Sequence, residues 1–397
     1  MKNRILLVIG ILVITSFAMA DSFYSSLGLG LPKYFISTKS AGMGGVGLAI
    51  ADPLSLNSIN PAAFYIDGVT TVSLDFQVES ADIKNTQSKV NMRDGNAVGF
   101  HFVFPLHKSI TFLSSLTPKV ISRYHLSSQQ ELDDIEFLKK VNGNGGLSSA
   151  NLGLQYSQGR KLLIAAQMNY YFGSHNENWK TVFLTDGYVD GEDEITSHFW
   201  GVGFSIGMLA RPLNNLSIGM VYYSTSNIDV ETSMTLSSFY QPSVSRTKLD
   251  YPSSFGFGLG YQIKKLLVGL DYYNQQWSQY SVENGESSQL NNYWRVGSGI
   301  EYQDAKATNV RYLRRVIYRI GAYYAKLPFS NSENESVSEQ FVTVGLGLPF
   351  LRNRGRVDLA LEYGKRGVLE HDPYQENLFR ISCSITGGEL WFQRRPR

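Results

Sequence analysis

In RVDLALEYG, beginning at Arg356, every second residue is oily: Val357, Leu359, Leu361 and Tyr363 share one face, while Arg356, Asp358, Ala360, Glu362 and Gly364 share the other. A period of two marks an extended strand with unlike faces, because successive side chains leave a pleated backbone in opposite directions. The alternation returns at Val98, Phe100, Phe102 and Phe104 around Gly99 and His101, and at Trp200, Val202, Phe204, Ile206 and Met208 around Gly201, Gly203, Ser205 and Gly207. It recurs from Leu162 to Tyr170, Leu216 to Tyr222, Phe255 to Tyr261 and Leu266 to Tyr272. About fourteen such runs lie between Val69 and Ile385, many near the roughly 9 to 11 residues that cross a tilted bilayer. They predict an all-β, transmembrane antiparallel β-barrel.

The intervals between runs agree. Long polar ones (Ala81 to Gly95, Pro118 to Leu147, His175 to Thr196, Ser226 to Asp250) alternate with short ones (Pro105 to Lys108, Ser157 to Lys161, Arg211 to Asn215). Outer-membrane barrels have long outside loops and short periplasmic turns, and an even strand count leaves both termini in the periplasm. One nominally short interval, Gln303 to Arg314, is longer than this rule expects. The wet face is largely Gly, Ser, Asn and Tyr, where a soluble sandwich would carry charge and threonine. Aromatics such as Tyr170, Phe172, Tyr222 and Tyr272 sit near strand ends, where interfacial girdles belong.

Lys2 and Arg4 precede the apolar run ILLVIGILVITSFA and the small-residue site Ala18-Met19-Ala20. This predicts a secretory signal peptide over residues 1–20, cut before Asp21 and too short to be a spanning anchor. Without Lys2 and Arg4 the mature chain holds 34 Lys and Arg against 34 Asp and Glu. Zero net charge argues against a nucleic-acid partner, which needs a basic excess to displace counterions. Cys383 is the only cysteine, so no internal disulfide staples this exported chain.

Between the cleavage site and the first run lies GMGGVG, Gly42 to Gly47, which has the spacing of a dinucleotide fingerprint. That chemistry needs a strand before the glycines and a helix after them. No strand precedes them, and Asp52-Pro53 and Asn60-Pro61 follow as turn signals. The glycines fit a compact plug that must turn sharply and touch the barrel wall. Residues 21–68 are thus expected inside a barrel spanning 69–392, with 393–397 a basic periplasmic tail.

The histidines (His101, His107, His125, His175, His198, His371) show no metal spacing, and no cofactor motif is present, so an enzyme is not expected. Arg295, Glu301, Arg319, Arg356, Asp358 and Glu362 fall on the wet faces of neighbouring late strands and predict a salt-bridged network bracing the plug. DGYVDGEDE, with Asp186, Asp190, Glu192, Asp193 and Glu194, reads as a solvated outside loop. QQELDDIEFLKKVN places Leu132, Ile135 and Leu138 at helical spacing and predicts a short amphipathic lid.

STKSAGMGGVGLAIADPLSLNSINPAAF, with its glycine run, acidic-Pro step and Asn-Pro-Ala, resembles the amino-terminal motif of the FadL/TodX-type outer-membrane transport proteins, and within them the barrels related to PorV. GLGLPF, then VDLALEYGKRG and the late LWF, extend the resemblance along the mature chain, although the tail Gln393 to Arg397 departs from a chain ending on an aromatic residue such as Phe392. The resemblance implies a fourteen-stranded barrel closed by an amino-terminal hatch, with hydrophobic small molecules crossing the outer membrane passively. Gly42, Gly44, Gly45, Gly47, Asp52, Asn60, Pro61 and Ala62 match its hatch motif. Expected partners are outer-membrane lipids and lipopolysaccharide, the barrel assembly machinery and a hydrophobic solute. The PorV-like alternative adds secreted proteins delivered or docked at the surface.

Overall fold

The computed structural model describes residues 22–64, 68–86, 88–236, 243–283, 290–331, 333–350 and 354–389. The signal segment, Phe392 and the basic tail lie outside them. Strand segments join one continuous antiparallel sheet. The wall runs β1 (Thr70–Lys84), β2 (Lys89–His107), β3 (Ile110–Leu132), β4 (Ile135–Gln158), β5 (Leu162–Phe183) and β6 (Gly191–Leu213). Next come β7, broken into Leu216–Tyr223 and Ser226–Thr235, and β8, broken into Ser243–Tyr251 and Ser254–Ile263. β9 (Leu266–Gln275), β10 (Tyr293–Gln303), β11 (Ile317–Ser330), β12 (Ser336–Phe350), β13 (Gly355–Arg366) and β14 (Gln375–Glu389) complete it. β14 pairs with β1 from Gln375↔Lys84 to Glu389↔Thr70, so fourteen strands close on themselves and leave no terminal edge.

Burial identifies the solvent on each side. Phe204, Val342 and Ile320 point outward and are 62%, 62% and 59% exposed, while Asp358 and His101 point inward at 0%. A water-soluble fold would reverse this, since burying charge while exposing an oily belt is stable only when the belt meets lipid. The RVDLALEYG alternation is seen as read, with Leu361 and Tyr363 outside and Asp358, Ala360 and Glu362 inside.

Two expectations are corrected. Val98 is buried at 1%, not on the oily face with Phe100, because a bulge opposite Asp75 and Phe76 inserts it and shifts the register. The expected lid helix is the tip of a long β3–β4 hairpin pairing from Ile110↔Tyr156 to Leu132↔Ile135. Asp133 and Asp134, both at positive φ (51° and 64°), form its two-residue turn, the conformation that matches hairpin twist. Leu132 and Ile135 therefore face each other across strands.

The wall also parts company with itself at one place. β2 and β3 pair from His107↔Ile110 to Phe100↔Leu116 and no further. Beyond that point β2 continues against β1 and β3 against β4, leaving a lateral gap in the wall.

Candidate functional site

Residues 22–64 pack against the inward side chains of the wall. Phe23–Ser26 form a 3₁₀ turn, Leu31–Pro32 pair with Ile121 and Val120 at the β3 edge of the gap, and α1 (Thr38–Ala41) is one helical turn whose Ser37 hydroxyl accepts from the Ser40 N–H. Asp75 on β1 accepts from the Thr38 N–H and hydroxyl at 3.1 and 2.9 Å. Asp271 on β9 accepts from the Gly47 and Leu48 N–H groups at 2.6 and 2.8 Å. Two wall carboxylates thus take up backbone donors that no regular structure satisfies.

GMGGVG lies against a stripe of wall glycines. Gly44 and Gly45 have φ of 66° and 70°. A Cβ on Gly44 would meet the Ala322 and Ser298 carbonyls, and one on Gly45 would meet the Arg295 guanidinium. Both conformation and contact require glycine here. Arg295 is stacked between Tyr34 and Tyr323, 4.4 and 3.8 Å from their ring centroids, and donates to the Gly44 carbonyl at 3.2 Å.

Five predicted residues meet in one closed ring of alternating charge. Lys39 Nζ lies 2.7 Å from Asp52, Asp52 2.9 Å from Arg356 Nη1, and Arg356 Nε 2.7 Å from Asp358. Asp358 is 2.7 Å from Arg319 Nη1, Arg319 Nε 2.8 Å from Glu301, and Glu301 3.1 Å from Lys39 again. Three cations and three anions cancel, and each touches two opposite charges, which is what burial of ions demands. The N-terminal segment supplies Lys39 and Asp52; β10, β11 and β13 supply the rest. Burial would raise the Asp52 carboxyl, but Arg356 and Lys39 outweigh it and hold it well below the usual carboxylate range. Lys39 escaped the sequence reading, although a lone lysine among small residues in STKSAG was its signal.

The remaining predicted residues lie elsewhere. Glu362 makes no ion pair among the described residues and accepts a 3.4 Å hydrogen bond from Gln77. Asn60 bridges the Leu48 and Met208 carbonyls at 2.7 and 3.2 Å and accepts from the Ala62 N–H at 3.0 Å, so Asn60-Pro61-Ala62 ties the segment to β6 near Gly207. Glu362, Lys33, Glu79, Asp94, Arg123 and Arg380 line a chamber of about 90 Å³ behind the wall gap, room for several waters. Arg123 reaches across the gap to Asp94 at 2.5 Å and Asn96 at 3.5 Å.

A G-x-S-x-G spacing also occurs, from Gly203 to Gly207. It lies inside β6 without the strand-to-helix turn of a nucleophile elbow, and Ser205 is bonded to Asn169.

A family model named BamG matches residues 1–396. The chain belongs to the BamG family. Among curated proteins, none matches its sequence. The fold of this BamG-family chain is similar to that of the CymD monoaromatic hydrocarbon channel, at 16% identity and TM-score 0.59, with 89% of this chain and 98% of that one covered. It is similar to the Ralstonia pickettii toluene transporter TbuX, at 17% identity and TM-score 0.60 over 89% and 98%. A Pseudomonas aeruginosa FadL homologue gives 12% identity and TM-score 0.62 over 90% and 99%. The BamG-family chain is thus a membrane β-barrel with the FadL-type outer-membrane channel fold.

Proposed function

We propose that this chain is a hatch-closed outer-membrane barrel that serves in the barrel assembly machinery. The match to BamG along the whole chain carries the reading, because the family's name points to that machinery, whereas a shared fold hosts unlike functions. Residues 21–68 are the hatch, 69–392 the wall and 393–397 a periplasmic tail, with the short turns in the periplasm. The ion ring bolting the hatch to three strands and the charged lining of the chamber favour a closed structural barrel over an open pore. Tagged protein should co-purify with the machinery's central barrel, and its depletion should lower the yield of other folded barrels. Normal barrel yields after depletion would refute this reading.

The wall gap favours a second one. Small hydrophobic molecules pass between the lumen and the bilayer through the opening where β2 leaves β3, as the fold's likeness to hydrocarbon channels suggests. Toluene uptake should then fall in depleted cells whose barrel yields are normal. A PorV-like role in attaching secreted proteins predicts instead a changed surface proteome with uptake intact.

A further inference from the structure

The zero net charge of the mature chain conceals two ends of opposite sign. Five of the six short turns carry an exposed cation on or beside them, and the third has the half-buried Arg211 three residues before it, at the end of β6. The exposed ones are Lys108, Arg160, Lys264, Arg311 and Arg354. Asp304 is the only acidic side chain on these turns among the described residues, and Lys265 and Arg314 already hold it. At the other end exposed acidic side chains, Asp133, Asp134, Asp186, Asp190, Glu333 and Glu370 among them, outnumber exposed cations such as Lys89, Arg246 and Lys365.

The cations sit at a definite depth. Lys108 follows Leu106, which is 56% exposed on the oily belt; Arg160 follows Tyr156, at 54%; Lys264 follows Ile263, at 47%. Positive charge therefore begins where the lipid-facing surface stops, at the level of headgroups. The long fifth turn belongs to the same pattern. Its 3₁₀ segment Tyr312–Arg314 is closed by an Ala305 N–H to Arg314 carbonyl bond and exposes Leu313 at 73% beside Arg311 and Arg314.

We propose that the short-turn end is a collar that binds anionic phospholipid headgroups around the barrel's circumference. A protein partner would select one sector, whereas these cations occur at five of the six turns, which is the distribution a surrounding leaflet requires. Lysine and arginine near an anionic leaflet are attracted within a Debye length, so the grip should weaken with salt. The inference rests on the reading that the short turns are periplasmic, which puts the collar in the phospholipid leaflet. The acidic crown then faces outward.

The test uses the purified full-length barrel in mixed micelles holding equal amounts of phosphatidylglycerol and phosphatidylcholine, with retained lipids counted by native mass spectrometry. Phosphatidylglycerol should be retained several-fold over phosphatidylcholine, and the preference should shrink with added salt and in Lys108→Glu, Lys264→Glu and Arg311→Glu combined. Heat-modifiable gel mobility checks that this variant is folded; single Lys264→Gln offers a milder version. Reversing Asp133 and Asp186 to Lys should not reduce the preference. Equal retention of both lipids, or a preference untouched by collar reversal, would overturn the proposal, as would capture of polyglutamate in place of lipid. Orientation is read separately by labelling Lys306→Cys, in a Cys383→Ser background, on intact cells with an impermeant maleimide. Labelling there would sink the periplasmic placement whatever the micelle result.

Discussion

Gly45 combines a left-handed backbone with a close wall contact in one residue. Its φ of 70° is costly for any residue with a Cβ, and the space a side chain would enter is held by Arg295, itself fixed between two tyrosines. Gly45→Val should loosen residues 22–64, raising their proteolysis in detergent, while the wall keeps its heat-modifiable mobility. Intact protection would mean that the contact is not needed. Asp52 tests the ring in the same way. Asp52→Asn leaves Lys39 and Arg356 buried with one anion fewer, a loss of roughly 3 to 5 kcal/mol for a broken buried pair. The Asp52 carboxyl is depressed in the folded state, so its contribution is present above the unfolded value and lost only as pH falls through the folded one. The difference in segment protection between the wild type and Asp52→Asn should therefore persist down to about pH 4, where free carboxylates are close to half protonated. Loss of that difference between pH 6 and 4 would show that Asp52 does not anchor the segment as a buried carboxylate.

Strands were legible where lipid imposes alternation and illegible where it does not. β13 was read correctly because every second residue must face hydrocarbon, and Leu361→Arg, on that face, should cost roughly 2 to 4 kcal/mol in the free energy of folding into bilayers. A cost near zero would argue against lipid contact. The outer halves of β3 and β4 stand beyond the bilayer, where both faces meet water, so HLSSQQEL shows no period of two and the spacing of Leu132, Ile135 and Leu138 imitated a helix. The one local sequence signal for the hairpin is Asp133-Asp134, whose residues take positive φ in its turn, and aspartate pairs are a weak signal for that turn. Val98 was misplaced for a different reason: a bulge changes facing without changing composition. The charge ring was legible to the extent that five members alternate on wet faces or fall in the Asp-Pro step. Its closure was not, because Lys39 joins it through a fold of the N-terminal segment that no periodicity encodes.

At the scale of the molecule, the wall and its contents are separable. The N-terminal segment brings one cation and one anion to the ring, so removing it leaves Glu301, Arg319, Arg356 and Asp358, two of each sign and still joined by the Arg319–Glu301, Arg319–Asp358 and Arg356–Asp358 pairs. The wall ladder closes through β14 and β1 without any residue before Thr70. A barrel lacking residues 22–60 should therefore fold, as judged by heat-modifiable mobility. Its lumen, lined by buried Asn169, Ser205, Asp75 and Asp271 together with those four charges, would fill with water once the segment that covers them is gone. In planar bilayers this variant should conduct ions far more readily than the full-length protein. Equal conductance from two folded proteins would mean that residues 22–64 do not obstruct the lumen, and the hatch assignment would fall with it.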